Sequence, residues 1–361
     1  MHDSAARSHH QVSSTLIDYP ARDMTITVGA GMSVGELQQI LLKENQQLPI
    51  DVADDATTLG DLVSFDISGP RQFGYGTLRD YVIGIEAVDA TGRVFHAGGR
   101  VVKNVAGYDL CRLLVGSRGQ LGTISQLTFK LKPVPLQQSL VVAGFRSVRD
   151  LNTALERLNL TATTPVILDV VSRHASHRLL NQSAPEIFNT VQCSDAVALL
   201  VVGFEGPDVA CHWQSGALKD ELLSTAVWTH QAAANDAFSG YCRAAQCAAS
   251  PSQDDKWMAK LTTLPSRVVS AITVLQQAGC LIFGRAGNGI LYVRPLTDAV
   301  GELNPANEID GINHLQSLVA DGVGSLEVLK ASSARSTMAP PGVRAISQKL
   351  RELLGPRNQL F

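Results

Sequence analysis

The chain has 361 residues, 45% of them hydrophobic and 17% charged, which is long enough for two domains that each bury a core. Its formal net charge of −3 leaves no basic surface for phosphate groups and argues against nucleic-acid binding. The six cysteines form no CxxC pair, and neither a signal peptide nor a run of about 18 apolar residues is found. The composition therefore predicts a globular cytoplasmic protein without a metal site.

The first predicted elements follow a polar N-terminus, residues 1–14, which is expected to be disordered. The stretch "MTITVGAGMSVGELQQILL" predicts a strand, a turn and a helix, in which Ser33 and Glu36 are spaced as a capping box. Its three glycines form G-x-G-x-x-x-G, which is one residue too long for the dinucleotide fingerprint. A Rossmann fold is therefore not expected.

The predicted domain boundary is a pair of prolines, Pro133 and Pro135. Before them, "VIGIEAVDATGRVFHAGG" predicts two strands around a turn, and "LGTISQLTFKLKPVP" predicts a strand that the prolines end. Beyond them, strand-like and amphipathic helical segments alternate, which predicts an α+β domain with helices on one face of a sheet. The expected organisation is a first domain over residues 15–135, a second over 136–332, and a last segment, 333–361, whose helix packs back on the body.

Three glycine-containing segments occur in a fixed order: "SGPRQFGYGTLRD", "GGRVVKNVAGYD" and "GSRGQLG" leading into a strand. Together they resemble the FAD-binding domain of the vanillyl-alcohol-oxidase (PCMH) type and, within it, the FAD-binding subunit of bacterial glycolate oxidase. The resemblance implies an α+β fold in which the second subdomain of a PCMH-type FAD-binding domain is followed by a ferredoxin-like α+β cap domain.

The resemblance also implies where FAD lies. A flavin dinucleotide needs main-chain N–H groups near its pyrophosphate and small residues beside its ring, which glycines provide. The pyrophosphate and ribityl chain are expected along Ser68, Gly69, Pro70, Tyr75, Gly76, Thr77 and Asp80. Later contacts with the dinucleotide are expected at Gly119, Gly122 and Ile124. Each glycine taken singly is also explained by a turn. No Cys or His matches the covalent anchor of relatives, so the FAD is expected to be non-covalent.

Two departures from the family pattern bear on FAD binding. The N-terminal subdomain of the family, which carries a glycine-rich phosphate loop, has no counterpart before Asp18, so the FAD-binding domain is expected to be N-terminally incomplete. Asp61 and Asp66 stand where the family has a glycine and an asparagine, and their carboxylates would repel a diphosphate. Both departures favour an alternative function, a flavin-poor and catalytically degenerate structural subunit.

The leading function implied by the resemblance is FAD-dependent oxidation of glycolate or a related 2-hydroxy acid, with hydride transfer to the flavin. The implied partners are a second FAD-containing catalytic subunit and an iron–sulfur subunit, which leaves open peripheral attachment to the inner membrane through them. Such a reaction needs a cation for the substrate carboxylate and a hydrogen-bonding group at the hydroxyl. Arg79, Arg285 and Tyr108 are the predicted catalytic residues. The alternatives are an ion pair for Arg79 and a helix start for Tyr108.

Overall fold

The computed structural model describes residues 12–99, 109–176, 196–232, 235–252, 255, 257–295, 315, 324–330 and 337–338. Tyr108, most of the segment "GGRVVKNVAGYD" and the predicted last helix lie outside these residues. Within them, none of the helices combines the length and the hydropathy that a membrane span requires.

The first domain is built on a five-stranded antiparallel sheet, in the order β1-β2-β6-β4-β5. Helices α1, α2 and α4 cover one face of this sheet and share its core. The predicted capping box at Ser33 and Glu36 is confirmed at the start of α1. The elements are β1 (Leu16–Asp18), β2 (Thr25–Gly29), α1 (Val34–Leu42), β3 (Gln46–Gln47), α2 (Leu59–Ser64), α3 (Gln72–Tyr75), β4 (Val82–Val88), β5 (Val94–Gly98), α4 (Leu110–Leu114), β6 (Thr123–Lys130) and β7 (Lys132–Pro133).

The cap domain follows β7 and contains a nine-stranded antiparallel sheet in the order β11-β8-β10-β9-β13-β14-β12-β15-β16. Its elements are β8 (Gln137–Phe145), α5 (Val148–Leu158), β9 (Ile167–Ser172), α6 (Arg173–Ala175), β10 (Ala198–Gly206), α7 (Asp208–Leu222), β11 (Trp228–Ala232), α8 (Asn235–Ala248), β12 (Met258–Thr263), α9 (Val268–Gln277), β13 (Cys280–Arg285), β14 (Ile290–Pro295), β15 (Gly324–Lys330) and β16 (Thr337–Met338).

The order of the cap strands describes two ferredoxin-like units placed side by side. The first runs β8-α5-β9-β10-α7-β11 along the chain and gives the sheet order β11-β8-β10-β9, which is the split βαβ pattern. The second begins β12-α9-β13-β14 and gives the order β13-β14-β12-β15. Antiparallel pairing of β9 with β13 joins the units, so the predicted ferredoxin-like cap is a tandem of that motif.

Helices cover both faces of the cap sheet. Helices α5, α7 and α9 pack on one face, while α8 buries Phe238 and Tyr241 against the opposite face of β8 to β10. The expectation of helices on one face is therefore wrong. The reason is visible in β10, which is buried at seven consecutive positions, because a strand that is apolar on both sides requires a covering layer on each.

Candidate active site

A cleft of about 250 Å³ lies where the first domain meets the cap. One wall is the segment from Phe65 to Gly69 together with Gln72, and the other is the face of the second ferredoxin-like unit with the end of α8. Polar side chains come from both walls. They include Asp66, Gln246, Lys260, Arg285, Tyr292 and Glu327.

The wall from the first domain is a tightly turned segment. Asp66 and Gly69 have positive φ angles of 53° and 83°, a conformation that glycine adopts without a steric cost. The Oγ atom of Ser68 accepts a hydrogen bond of 3.0 Å from the backbone N–H of Leu78. These features hold the segment in place and turn the carboxyl of Asp66 toward the cleft.

The opposite wall carries a row of polar side chains on three neighbouring strands. Lys260 lies directly across from Tyr292 on one side and from Glu327 on the other, so the three side chains share one face of the sheet. Glu327 forms an ion pair with Arg118 of the first domain. Because Glu327 is paired in this way, Lys260 supplies a positive charge to the middle of the wall.

Asp66 is the carboxyl group that faces Lys260 from the first domain. Its Oδ1 atom is buried and has no hydrogen-bond partner in the part of the chain that the structure describes. Burial raises the pKa of Asp66, although the positive charges of Arg79 and Lys260 act to lower it. An unsatisfied buried acceptor is costly, and this oxygen, which has almost no accessible surface, is covered by its neighbours while other atoms of Asp66 line the cleft.

The floor of the cleft is a buried cation. Arg285 is 1% exposed and donates to Asp169 Oδ2 at 2.8 Å and to Gln246 Oε1 at 3.1 Å. Its guanidinium lies 5.0 Å from the centroid of the Phe283 ring. Tyr241 donates a second hydrogen bond of 2.7 Å to Asp169 Oδ2. Burial raises the pKa of Asp169 to about 6, against the opposing effects of Arg285 and Tyr241.

A separate buried network joins the first domain to the cap away from this cleft. Arg71 forms ion pairs with Asp51 at 2.9 Å and with Glu205 of β10 at 3.3 Å. Tyr75 donates to Glu205 at 2.5 Å, and Gln138 donates to the other oxygen of the same carboxylate at 2.6 Å. These contacts fix how the first domain sits on the cap sheet and therefore fix the width of the cleft.

The structure brings together some of the predicted site residues and separates others. Ser68, Gly69 and Arg285 contribute to the cleft. Arg79 is half-exposed and lies 3.8 Å from Asp66, so it reaches the cleft only through that carboxylate.

Ile124 is buried in the core of the first domain, Pro70 is buried beside Gly69, and Tyr75 contacts Glu205. Thr77 and Asp80 cap the turn Leu78–Asp80, where the Thr77 N–H donates to Asp80 at 2.8 Å. Their roles in catalysis and FAD binding stay predictions.

Three of the predicted FAD-binding glycines face the protein itself. A Cβ added at Gly69 would lie 2.5 Å from Asp51 Cβ, and one at Gly76 would lie 2.5 Å from Asp80 Oδ2. A Cβ added at Gly122 would lie 3.0 Å from the Val88 carbonyl oxygen. Packing and positive φ angles of 83° and 85° therefore favour glycine at Gly69 and Gly76 without any ligand, and at Gly122 an added Cβ would be tight against a backbone oxygen. Gly119 has a positive φ of 67°, which also suits a turn.

Sequence reasoning does not single out Lys260, Gln246 or Tyr292. Each lies in a regular strand or helix without a motif, and only the pairing of β12 with β14 brings Lys260 and Tyr292 together. The available signal is weak, since one charged residue in an otherwise apolar strand is most often exposed. The stretch "FGRAGNGILYVRP", predicted to lie near the substrate, does supply Arg285, Ile290 and Tyr292 to the cleft.

Comparison with protein families gives the first domain an identity. Residues 10–98 match the family described as "FAD binding domain". The chain carries an FAD binding domain. The match covers the strands and helices that form the first wall of the cleft, and it contains the first of the three ordered segments, "SGPRQFGYGTLRD".

Curated proteins that resemble the chain match it over about a third of its length. D-lactate dehydrogenase of Archaeoglobus fulgidus is 32% identical over 136 residues, which cover 38% of this chain and 31% of that protein. Glycolate oxidase subunit GlcE of Escherichia coli is 34% identical over 122 residues, covering 33% and 35%. Glycolate oxidase subunit GlcD of Bacillus subtilis is 33% identical over 134 residues, covering 37% and 28%. The chain thus spans about a third of the length of these relatives.

A solved structure extends the likeness of fold to the cap. Alkyldihydroxyacetonephosphate synthase superposes with a TM-score of 0.65 over 94% of this chain and 65% of the synthase chain, at 16% sequence identity. At this low identity, the superposition shows a shared fold and nothing further. The predicted fold, an FAD binding domain of this type followed by an α+β cap, is confirmed.

The residues of the cleft fit the isoalloxazine ring of FAD. The ring carbonyls accept hydrogen bonds, and a positive charge near N1 stabilises the reduced ring. Lys260 lines the cleft with its ammonium group and Gln246 with its amide, while Tyr292 and Ile290 give an apolar surface for the ring. The FAD binding domain contributes the backbone of Ser68 and Gly69 to the same space. Gln246 and the backbone of Ser68 and Gly69 would hold the ring against the cap sheet, which leaves the Lys260 ammonium group for an anionic molecule beside the ring.

A substitution at Gly122 tests whether this glycine is needed for FAD binding or for the packing of the fold. The sequence predicts that Gly122→Val abolishes FAD binding. Because the added Cβ meets the Val88 carbonyl in the β4 and β6 pairing, we expect the FAD-free chain itself to lose about 1–3 kcal/mol of stability through overpacking. The melting temperature of the FAD-free protein, followed by circular dichroism, measures this loss.

The matched control for this test is Gly216→Val on α7. Gly216 is exposed, and no atom lies within 4 Å of its added Cβ, so the melting temperature should stay close to that of the wild type. If Gly122→Val left the FAD-free melting temperature unchanged and still weakened FAD binding, direct contact with the dinucleotide would be the better explanation.

Proposed function

We propose that the protein is an FAD-dependent oxidoreductase that oxidises glycolate or a related 2-hydroxy acid. The observation that carries the proposal is a cleft between an FAD binding domain and the cap that is lined by both a partly buried lysine, Lys260, and a carboxyl group, Asp66, whose charges interact. A 2-hydroxy acid has a carboxylate for the first group and a hydroxyl hydrogen for the second.

The residues of the cleft have distinct parts in this proposal. Lys260 binds the substrate carboxylate, while the buried Arg285 is neutralised by its ion pair with Asp169 at 2.8 Å. The Asp66 carboxylate, which lines the cleft, accepts the hydroxyl proton as a general base. Arg79 stays beside Asp66 and favours its charged form. Bound FAD would supply the hydride acceptor for the substrate carbon.

Similarity to known proteins supports the substrate class and a multi-subunit assembly. One relative is named a D-lactate dehydrogenase, and two are named subunits of glycolate oxidase. We extend the proposal to two partners, a second FAD-containing catalytic subunit and an iron–sulfur subunit that takes up the electrons. Localisation in the cytoplasm, at the inner membrane through these partners, belongs to the same proposal.

A second candidate is a structural subunit of such a complex that binds little flavin. The observation that favours it is the carboxyl group of Asp66, which lines the cleft from the first domain. A carboxylate beside the flavin disfavours the anionic reduced ring. The two candidates differ in a property that is measured directly, the amount of FAD that the protein retains.

Reconstitution with FAD separates the two candidates. The purified chain is incubated with excess FAD, freed of unbound cofactor by gel filtration, and examined by visible absorption. The enzyme proposal expects about one FAD per chain, and it expects glycolate or D-lactate to bleach the flavin band in the absence of oxygen. The same measurement on the chain co-purified with its partner subunits serves as the comparison. The structural candidate expects a chain that stays colourless after reconstitution, and a complex whose extracted FAD amounts to no more than one per partner flavin subunit.

A further inference from the structure

A series of hydrogen bonds connects α8 to the cap sheet and returns to α8. Tyr241 donates to Asp169 at 2.7 Å, and the same oxygen of Asp169 accepts from Arg285 at 2.8 Å. Arg285 then donates to Gln246 Oε1 at 3.1 Å. Tyr241, Asp169 and Arg285 are each no more than 1% exposed, so water does not compete for these bonds.

This series of hydrogen bonds determines which end of the Gln246 amide faces the cleft. A guanidinium only donates hydrogen bonds, so it requires the carbonyl oxygen of the amide as its acceptor. The Nε2 group with its two N–H donors is then the remaining end. Gln246 lines the cleft, and among the described residues no acceptor for Nε2 is found.

We propose that Gln246 donates a hydrogen bond from Nε2 to a carbonyl or carboxylate oxygen of the molecule in the cleft, and that Asp169 and Tyr241 are positioning residues for it through Arg285. The inference rests on the proposed function for the nature of that molecule. Its oxygen is either a ring carbonyl of FAD or the carboxylate of the 2-hydroxy acid.

The geometry gives each residue a separate task. Arg285 cannot rotate freely, because its guanidinium is held by Asp169 and lies against the rings of Phe283 and Tyr292, at 5.0 and 5.9 Å from their centroids. Asp169 in turn is held by Tyr241. A fixed guanidinium keeps the Gln246 amide in one orientation, which reduces the entropy lost when a ligand binds.

Two substitutions of Gln246 test the proposal. Gln246→Glu keeps an oxygen acceptor for Arg285 and removes the N–H donors, while Gln246→Met removes both without adding charge. We expect each variant to weaken binding of the ligand at least tenfold. The melting temperature of the FAD-free chain should change little in Gln246→Glu and should fall in Gln246→Met, because the buried Arg285 guanidinium then loses an acceptor. The probes are FAD, titrated into the FAD-free chain by flavin fluorescence, and oxalate, titrated into the FAD-loaded chain by its effect on the flavin spectrum.

The pattern of losses identifies the oxygen that Gln246 meets. Weaker binding of FAD indicates a ring carbonyl, and weaker binding of oxalate alone indicates the substrate carboxylate. Tyr241→Phe removes one bond to Asp169 and is expected to weaken the same probe about threefold, whereas Gln277→Glu at the exposed end of α9 should have no effect. Binding of both probes within twofold of the wild type in either Gln246 variant would overturn the proposal.

A different experiment applies if the proposed function is wrong. In that case the wild-type chain itself binds no FAD, and oxalate is instead titrated calorimetrically into the FAD-free chain. A tenfold loss of oxalate affinity in both Gln246 variants still supports the donor role. Equal affinity, or no binding of oxalate to the wild type, overturns it.

Discussion

Replacing Arg71 by methionine is expected to lower the free energy of unfolding by about 3–5 kcal/mol, the range found when one member of a buried ion pair is removed. Arg71 is 8% exposed, and its guanidinium neutralises Asp51 and Glu205 together. Methionine fills much of the same volume but leaves both carboxylates buried without a cation. The midpoint of urea unfolding and the melting temperature measure the loss.

The matched control for Arg71 is Arg93, whose side chain is 79% exposed in its ion pair with Asp89. Arg93→Met should change stability by less than about 1 kcal/mol, since exposed ion pairs contribute little. Because Glu205 lies in the cap and Asp51 in the first domain, we also expect Arg71→Met to loosen the contact between them. Equal melting temperatures for the two variants would contradict a stabilising role for the Arg71 network.

Replacing Lys260 by glutamine is expected to weaken the interaction with a 2-hydroxy acid ten- to a hundredfold. A hydrogen bond to a charged group contributes about 1.5–3 kcal/mol, and Lys260 supplies the ammonium group in the middle of the cleft wall. The rate at which glycolate reduces the bound FAD without oxygen, measured over a range of glycolate concentrations, gives the apparent dissociation constant. Affinity for oxalate in the FAD-loaded chain should fall in parallel.

Two further variants define the role of Lys260. Lys260→Arg keeps the positive charge and should recover a large part of the affinity, while Lys132→Gln removes an exposed lysine of β7 and should leave affinity unchanged. If Lys260→Gln bound oxalate as tightly as the wild type, the substrate carboxylate would have to meet another group, and Gln246 would be the next residue to consider.

Local sequence signals predict the first domain well. The capping box at Ser33 and Glu36 forms as expected, because its partners are three residues apart and need no tertiary contact. The segments that identify the FAD binding domain are likewise short and ordered along the chain. The sequence is less informative where a pattern fits two arrangements, as in β10, whose apolar run does not say that helices cover both of its faces.

The roles of single residues are harder to predict than the domain that contains them. Tyr75 belongs to a segment that the family resemblance links to FAD, yet its hydroxyl donates to Glu205 of the cap. Gly122 likewise lies beside the Val88 carbonyl. Both contacts join parts of the chain that are distant in sequence, so no local sequence pattern predicts them.

By itself, the sequence determined the class of the protein: two domains, an FAD binding domain first and an α+β cap second, without a metal motif. Only the tertiary structure decided the composition of the cleft, where Asp66, Gln246, Lys260 and Arg285 meet from four different elements. The physical reason is strand register. Pairing of β12 with β14 and β15 sets which face Lys260 occupies, and a shift of one residue would turn its side chain to the opposite face.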